Sequence, residues 1–221
     1  ECGVNASIGI GNLKRRDLLA SANIPIGEHL FAKVTLGDYH QDGWVHSLTT
    51  GINDGYMDSQ VRRADLLWQP NDKFSLRFIR QEDDQVGRQA RVQARIDFNV
   101  AYFHGYQVGI AEAHDIASGG KFNPNYAVAG FPGGTLGRYE SRSSSTQPNE
   151  QYLTQNTVHL DWDALENVHV KYMFGDSKVD DSIYNDWGGS QYNFFVNYDT
   201  SLLNMKSHEL QITGDLFEKK V

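Results

Sequence analysis

The chain has one cysteine, Cys2, so an internal disulfide is impossible and cysteine-rich metal sites are excluded. Proline is scarce, at 5 of 221 residues. No stretch approaches the roughly 18 consecutive apolar residues of a membrane-spanning helix. Cations are in deficit, with 20 Lys+Arg against 28 Asp+Glu and a net charge of −8. That balance argues against a nucleic-acid partner, which normally meets a basic face. The apolar share, 39%, is below the globular norm, yet 12% aromatic residues argue against a disordered chain. Glu1-Cys2-Gly3 is neither basic nor followed by an apolar run, so no signal peptide is expected there.

What the chain does have is glycine, 21 residues, and a period-two pattern. Leu18, Ala20, Ala22, Ile24 and Ile26 alternate with Leu19, Ser21, Asn23 and Pro25. Leu30, Ala32, Val34 and Leu36 alternate with Phe31, Lys33, Thr35 and Gly37. The same alternation runs through Ala64-Leu66-Trp68, Phe74-Leu76-Phe78, Val158-Leu160-Trp162, Val168-Val170-Tyr172-Phe174 and Leu210-Ile212. Each segment therefore has one apolar and one polar face, as a half-buried strand does. The pattern predicts about seven strands, over 4–26, 29–43, 60–69, 73–82, 152–163, 168–176 and 206–215. The even-numbered apolar set is expected on one side of a single antiparallel sheet. The segment least unlike a helix, Val108 to Ala117, is short and uncapped.

Connections alternate between tight and long. Ile26–His29, Gln69–Lys73 and Asp163–Asn167 are short and carry turn formers. Trp44–Ser59, Asp83–Gln151 and Ser177–Lys206 are long. A compact soluble domain rarely holds a structureless loop of the second length. Tight turns at one end and long loops at the other are how outer-membrane barrels are built. Trp68 and Trp162 precede tight turns on the apolar face, while Tyr39 and Trp44 lie near the opposite end, as in two aromatic girdles. Alternation alone leaves two architectures open, because an apolar face can meet lipid or the second sheet of a soluble sandwich.

Four segments resemble a known family, the TonB-dependent receptors of the Gram-negative outer membrane. Gly11-Asn12-Leu13-Lys14-Arg15-Arg16-Asp17 with Asn23-Ile24-Pro25-Ile26 is similar to an early barrel strand, with Leu13 for the common Tyr and Ile26 for Leu. Asp42-Gly43-Trp44 resembles the Asp-Gly-aromatic that closes the next strand. Arg63-Ala64-Asp65-Leu66-Leu67-Trp68-Gln69-Pro70-Asn71-Asp72-Lys73 resembles the Arg-Ala-x-Leu-x-Trp-x-Pro-x-Asp hairpin, and Ser207-His208-Glu209-Leu210-Gln211-Ile212-Thr213-Gly214 a later strand. The matches run from Gly11 to Gly214 in the family's order.

The resemblance implies an all-β, antiparallel transmembrane β-barrel with long extracellular loops, here the N-terminal part of the barrel. The expected domain is residues 1–221 as a fragment of the receptor barrel, without signal peptide, plug domain or C-terminal barrel strands. The implied activity is uptake of a scarce ligand, a ferric siderophore by family frequency, powered by the inner-membrane TonB complex through other parts of the protein. Outer-membrane lipid and lipopolysaccharide are the expected surroundings. A carbohydrate- or cobalamin-importing receptor, or a soluble carbohydrate-binding β-sandwich, is the alternative.

No enzyme is expected: Ser143-Ser144-Ser145 has no nucleophile motif around it, and no catalytic residue, cofactor or metal is assigned. Glu112-Ala113-His114-Asp115 is ligand-capable but weak, and Asp83-Asp84 and Asp180-Asp181 are expected to be acidic loop tips. Ligand contacts are expected in the loops, from the aromatics Tyr126, Phe131, Tyr139, Trp187 and Tyr192 and from Arg138. Arg88, Arg91, Arg95, Lys121 and Arg142 are further loop cations that could draw an anionic chelate or, equally, bind lipopolysaccharide phosphates or keep the loops soluble.

Overall fold

The computed structural model describes residues 2–88, 101–103, 106–108, 137–186 and 196–214. Eight strands form one antiparallel sheet: β1 (Gly3–Ile10), β2 (Arg16–Pro25), β3 (Leu30–Gln41), β6 (Met57–Asn71), β7 (Phe74–Gly87), β11 (Asn149–Leu165), β12 (Val168–Asp186) and β13 (Val196–Gly214). They lie in chain order, each beside its predecessor in the sheet. Short strands β4 (Val45–Ser47), β5 (Asn53–Asp54) and β10 (Glu140–Ser141) make a second sheet among the connections, with β10 parallel to β4. β8 (Ala101–Phe103) and β9 (Tyr106–Val108) form a two-stranded hairpin. Val108 ends β9, and the rest of the segment to Ala117 lies outside the described residues.

The register fixes the faces. Directly opposed residues of an antiparallel pair share a side. Across the sheet Ala20 faces Leu36, Val34 faces Ala64, Leu66 faces Phe78, Leu76 faces Leu160, Trp162 faces Val170 and Val170 faces Ile212. Even numbers pair with even numbers at each step, so the expected apolar set occupies one side. The odd side carries Ser21, Thr35, Arg63, Gln81, Gln155 and Ser177 in one continuous row. Register shifts occur between Trp68 and Asn71 and between Asp163 and Leu165, at the tight-turn ends, where they leave the rows above undisturbed.

The strands differ in number and length from those read in the sequence. The segment 4–26 is two strands, because Gly11–Arg15 forms a turn closed by Gly11 N–H to Arg15 O at 3.0 Å. Leu13 and Lys14 hold φ of 55° and 50° there, so the left-handed positions fall on residues that seldom adopt them and Gly11-Asn12 is the only turn signal in that turn. On the long-loop side the strands run further than expected, β12 to Asp186 and β13 back to Val196. The acidic pairs Asp83-Asp84 and Asp180-Asp181 sit within β7 and β12, not at loop tips. The cause is visible on the even side: above Phe78 and Phe174 the outward residues become Arg80, Glu82, Asp176 and Lys178, so alternation fades while the strand continues.

The apolar band spans Leu30–Leu36 in β3, about 20 Å of strand at roughly 3.3 Å per residue. Trp68 and Trp162 stand at its tight-turn margin, with Trp68 edge-on to Phe74 at 5.6 Å. At the other margin stand Tyr172 and Phe174, where the Tyr172 hydroxyl lies 2.8 Å from His208 Nδ1. Tyr39 is not part of that belt, since its register partners Asp17 and Ser59 place it on the polar side. Among the described residues the one buried apolar side chain is Val45; Leu36, Phe78, Trp162 and Ile212 are exposed. The sheet thus has no apolar core of its own on either face.

Two of the motif glycines mark close backbone approaches. A Cβ on Gly214 would meet Asn167 O at 2.4 Å, and one on Gly43 would meet Asn53 O at 2.2 Å and Asp54 O at 2.7 Å. Gly43→Ala is therefore expected to displace the β4–β5 loop and to lower stability by about 1–3 kcal/mol. Gly3→Ala, whose methyl would meet nothing nearer than 3.9 Å, is the control. Denaturant titration of the two variants checks the difference.

Candidate functional site

The polar loop cluster lies at the end of the sheet opposite the tight turns that follow β2, β6 and β11, the end that also carries the Gly11–Arg15 turn. Its organiser is Arg88, the first residue after β7 and 5% exposed. The guanidinium donates from Nη1 to Asp54 Oδ1 at 3.2 Å and from Nε to Gln147 O at 3.3 Å, and Nη2 donates to Thr146 O. It also lies over the Tyr56 ring, 5.8 Å from its centroid. Backbone bonds reinforce the junction: Arg88 N–H to Tyr56 O at 3.1 Å and Gly55 N–H to Arg88 O at 2.9 Å. One side chain thus ties the β3–β6 connection to the segment before β11. Arg88 was expected among loop cations free to draw an anion; its charge is instead spent inside the protein.

Small hydroxyl side chains complete the packing. Ser47, Ser141, Ser143 and Ser145 are each buried. Ser47 Oγ donates to Ser143 O at 2.7 Å, and Ser143 Oγ donates to Asp186 Oδ2 at 2.7 Å, which links the cluster to the end of β12. Thr49 Oγ1 donates to Arg142 O at 2.9 Å. Ser47 and Ser143 fit because they fill small spaces and bond backbone groups that a buried loop cannot leave unpaired: Ser47 Oγ also accepts from Thr50 N–H at 3.2 Å and Ser143 Oγ from Ser145 N–H at 3.2 Å.

On the outside of this cluster lies an aromatic patch. Trp44 meets Tyr139 edge-on, with centroids 5.9 Å apart at 81°. The Arg138 guanidinium lies 5.4 Å from the Tyr139 ring centroid, within cation–π range. His46 N–H donates to Tyr139 O at 2.8 Å and holds the tyrosine beside β4. Arg138 and Tyr139 are therefore brought together as candidate ligand contacts, and Trp44 joins them rather than an aromatic girdle. Tyr126, Phe131, Trp187 and Tyr192 lie outside the described residues, as do Arg91, Arg95, Lys121 and Glu112-Ala113-His114-Asp115. Among the described residues no group of three or more His, Cys, Asp or Glu side chains is placed to hold a metal ion.

A cleft of about 360 Å³ opens beside the cluster on the polar side of the sheet. Tyr56, Gln85, Asn149, Gln151, Asp181 and Ile183 line it. The sequence expectation looked for ligand contacts only in loops, whereas this cleft is lined mainly by strand residues. The signal was the polar face itself, where Gln85 and Gln151 stand opposite one another.

At the outer end of β3 a chain of charges runs across three elements. Lys14 Nζ lies 2.8 Å from Asp42 Oδ2, His40 Nε2 3.0 Å from Asp42 Oδ1, and His40 Nδ1 2.5 Å from Asp58 Oδ1. A neutral imidazole has one N–H, so both contacts are hydrogen bonds only when His40 is protonated. The Asp58 bond, with the Asp42 bond behind it, raises the His40 pKa against partial burial and the nearby Arg16.

These geometries frame the comparison with known proteins. No protein-family model matches the chain, and no curated protein matches it. Among solved structures, the ferric-catecholate import receptor Fiu from E. coli K12 superposes with a TM-score of 0.61 at 11% identity, over 98% of this chain and 32% of that one. The ferric yersiniabactin uptake receptor FyuA from Yersinia pestis gives 0.61 at 12% identity, over 98% of this chain and 29% of that one. At such identities the likeness is one of fold. The chain has a receptor-barrel, TonB-dependent-receptor-like fold, of which its open sheet is one portion. It spans about a third of the length of these receptors. Both are receptors for uptake, not enzymes.

Two outcomes follow. Arg88→Met leaves the buried Asp54 carboxylate without its guanidinium, a loss of about 3–5 kcal/mol for a broken buried pair. Faster hydrogen exchange at the Trp44 amide, which donates to Asp54 O at 2.8 Å, is the readout. For His40, a raised pKa means its stabilising contribution is full below the ordinary value of about 6.5 and is lost as pH rises through the higher folded value. An NMR titration is expected to put its midpoint above that of a free histidine, and Asp58→Asn to bring it down.

Proposed function

We propose that this chain is part of an outer-membrane receptor barrel that imports a ferric siderophore. The observation that carries the reading is the conserved parity of the eight-stranded sheet. It gives one apolar face that none of the described residues covers and one polar face, which is apolar-out and polar-in for a barrel wall. A soluble sandwich would cover that apolar face with a second sheet, yet Leu36 is 53% and Ile212 66% exposed. The fold shared with two import receptors for ferric ligands supports the choice of iron.

In this reading the even face meets outer-membrane lipid, and the charged rows above it meet lipopolysaccharide. The edges β1 and β13 pair with further strands of the same protein, because lipid does not tolerate unpaired backbone groups. A plug domain, also outside this chain, gates the lumen. Energy arrives from the inner membrane through TonB. The loop cluster contributes the outer ligand platform: Trp44, Tyr139 and Arg138 offer two ring faces and a cation to a flat ligand. Growth of a deletion strain on a panel of iron sources and sugars tests the import reading. Loss of growth on one ferric chelate is expected; a defect confined to a sugar would overturn the choice of iron.

The barrel reading has its own energetic test. Val34 and Thr35 are neighbours on opposite faces of β3. Val34→Arg is expected to cost roughly 2–4 kcal/mol near the bilayer midplane, and Thr35→Arg far less. Denaturant titration of the intact protein refolded into bilayers measures both. Equal costs would remove the lipid and lumen assignment.

A further inference from the structure

We propose that the upper lumen wall of this protein selects an uncharged ferric chelate of the tris-hydroxamate type and disfavours a trianionic tris-catecholate. The proposal rests on the import reading above and deepens it. Two observations carry it: the lining of the cleft, and the charges on the odd face of the strands that lead into it.

The strand residues of the cleft offer amides and a carboxylate. Gln85 and Gln151 stand opposite one another across β7 and β11, and Gln151 stands opposite Asp181 of β12. Gln151 Nε2 lies 3.4 Å from Asp181 Oδ1, a neutral donor on a carboxylate. The nearest guanidinium, that of Arg88, lines the same cleft but is committed to Asp54, Thr146 and Gln147. No net positive charge from these groups is left to meet an anion.

The wall around the cleft has the same character. Ser59, Gln85, Gln151, Asp181 and Ser201 form one row, and Val61, Asp83, Leu153, Val179 and Leu203 the row beside it. Asp17 and Asp199 extend the acidic set on the same side, opposite Tyr39 and Ile183. Among the described odd-numbered strand residues on the loop side of the Arg63 row there is no Lys, Arg or His. Asp17 is paired with Arg15 at 2.9 Å. Asp83 accepts from Gln81 at 2.8 Å and Asp199 from Asn197 at 2.5 Å, both uncharged donors. The wall therefore presents Asp83, Asp181 and Asp199 as carboxylates with amide partners. Below it the lumen face becomes mixed, with Lys33, Arg63, Arg77 and Lys171 among Asp65, Asp161 and Glu209.

Ligand charge follows from stoichiometry. Ferric iron held by three singly charged hydroxamates is neutral; held by three doubly charged catecholates it is a trianion. A confined wall of like charge repels the trianion and leaves the neutral chelate unaffected. The neutral chelate's amide and hydroxamate oxygens can accept from Gln85, Gln151 and Asn149 as well.

The test is equilibrium binding to the intact outer-membrane protein containing this chain. The probes are ferric tris(acetohydroxamate) and ferric tris(catecholate), with maltose as a saccharide control. The wild-type protein is expected to bind the hydroxamate at least about tenfold more tightly, a difference of about 1.4 kcal/mol. The Asp83→Asn/Asp181→Asn variant is expected to raise catecholate affinity several-fold and leave hydroxamate affinity unchanged. Added salt is expected to do the same to the wild type by screening the wall. Heat-modifiable migration on a gel confirms that the variant is folded; if it is not, the salt series alone decides. Equal or tighter binding of the catecholate, or a ratio that neither charge removal nor salt moves, would overturn the proposal while import of iron stands. Binding of neither chelate, with or without binding of maltose, would overturn the iron reading and the proposal with it.

Discussion

Register is the constraint on which the rest of this structure depends. A slip of one residue in any strand pair would send every following side chain to the other face. Here the pairings from β1 to β13 match odd with odd and even with even, through tight turns and long connections alike. The two shifts that do occur lie beyond the apolar band, beside Pro70-Asn71 and Ala164-Leu165. A proline is tolerated there because the ladder is already broken. The result is a wall with two chemistries, and everything proposed about function follows from which solvent meets which side.

Among the described residues the wall has no apolar core, and the connections bury one apolar side chain, Val45. What stands at the centre of the loop cluster is a buried ion pair, Arg88 with Asp54, and the other buried polar side chains of the cluster are serines. Ion pairs of this kind are a poor source of net stability but a strong source of specificity when their remaining groups are satisfied. Arg88 is satisfied by two carbonyls from one segment and a carboxylate from another. The same Asp54 holds Trp44 in place through the Trp44 N–H to Asp54 O bond at 2.8 Å, and Trp44 meets Tyr139 edge-on.

Much of this was legible in the sequence and some was not, for physical reasons. The faces of β3, β6 and β7 could be read from Val34, Leu66 and Phe78, because apolar residues must leave water and polar ones must not. The motif glycines Gly43 and Gly214 are explained by backbone carbonyls that leave no room for a Cβ. The outer halves of β12 and β13 could not be read, because clean alternation breaks there: Asp176, Lys178 and Asp180 stand on the even face of β12, and Leu202-Leu203 puts apolar residues on both faces of β13. The turn at Leu13-Lys14 was hidden by residues that seldom adopt a left-handed backbone. Arg88 could not be told from a solvated loop cation, since its partner Asp54 lies 34 positions away in the chain. Tyr139 and Arg138 could be picked out as exposed loop side chains from composition, whereas their contact with Trp44 and the facing pair Gln85–Gln151 emerge only from the fold.

The central claim is that the even face lies in lipid and the odd face in water. Spin labels placed one at a time from Ala32 to Leu36, with Cys2 replaced, test it directly in the intact protein reconstituted in bilayers. Collision rates with oxygen, which concentrates in lipid, and with a water-soluble nickel chelate should alternate residue by residue. Oxygen should dominate at positions 32, 34 and 36 and the chelate at 33 and 35. Equal accessibility to both reagents along the segment, or a chelate-accessible position 34, would contradict the account.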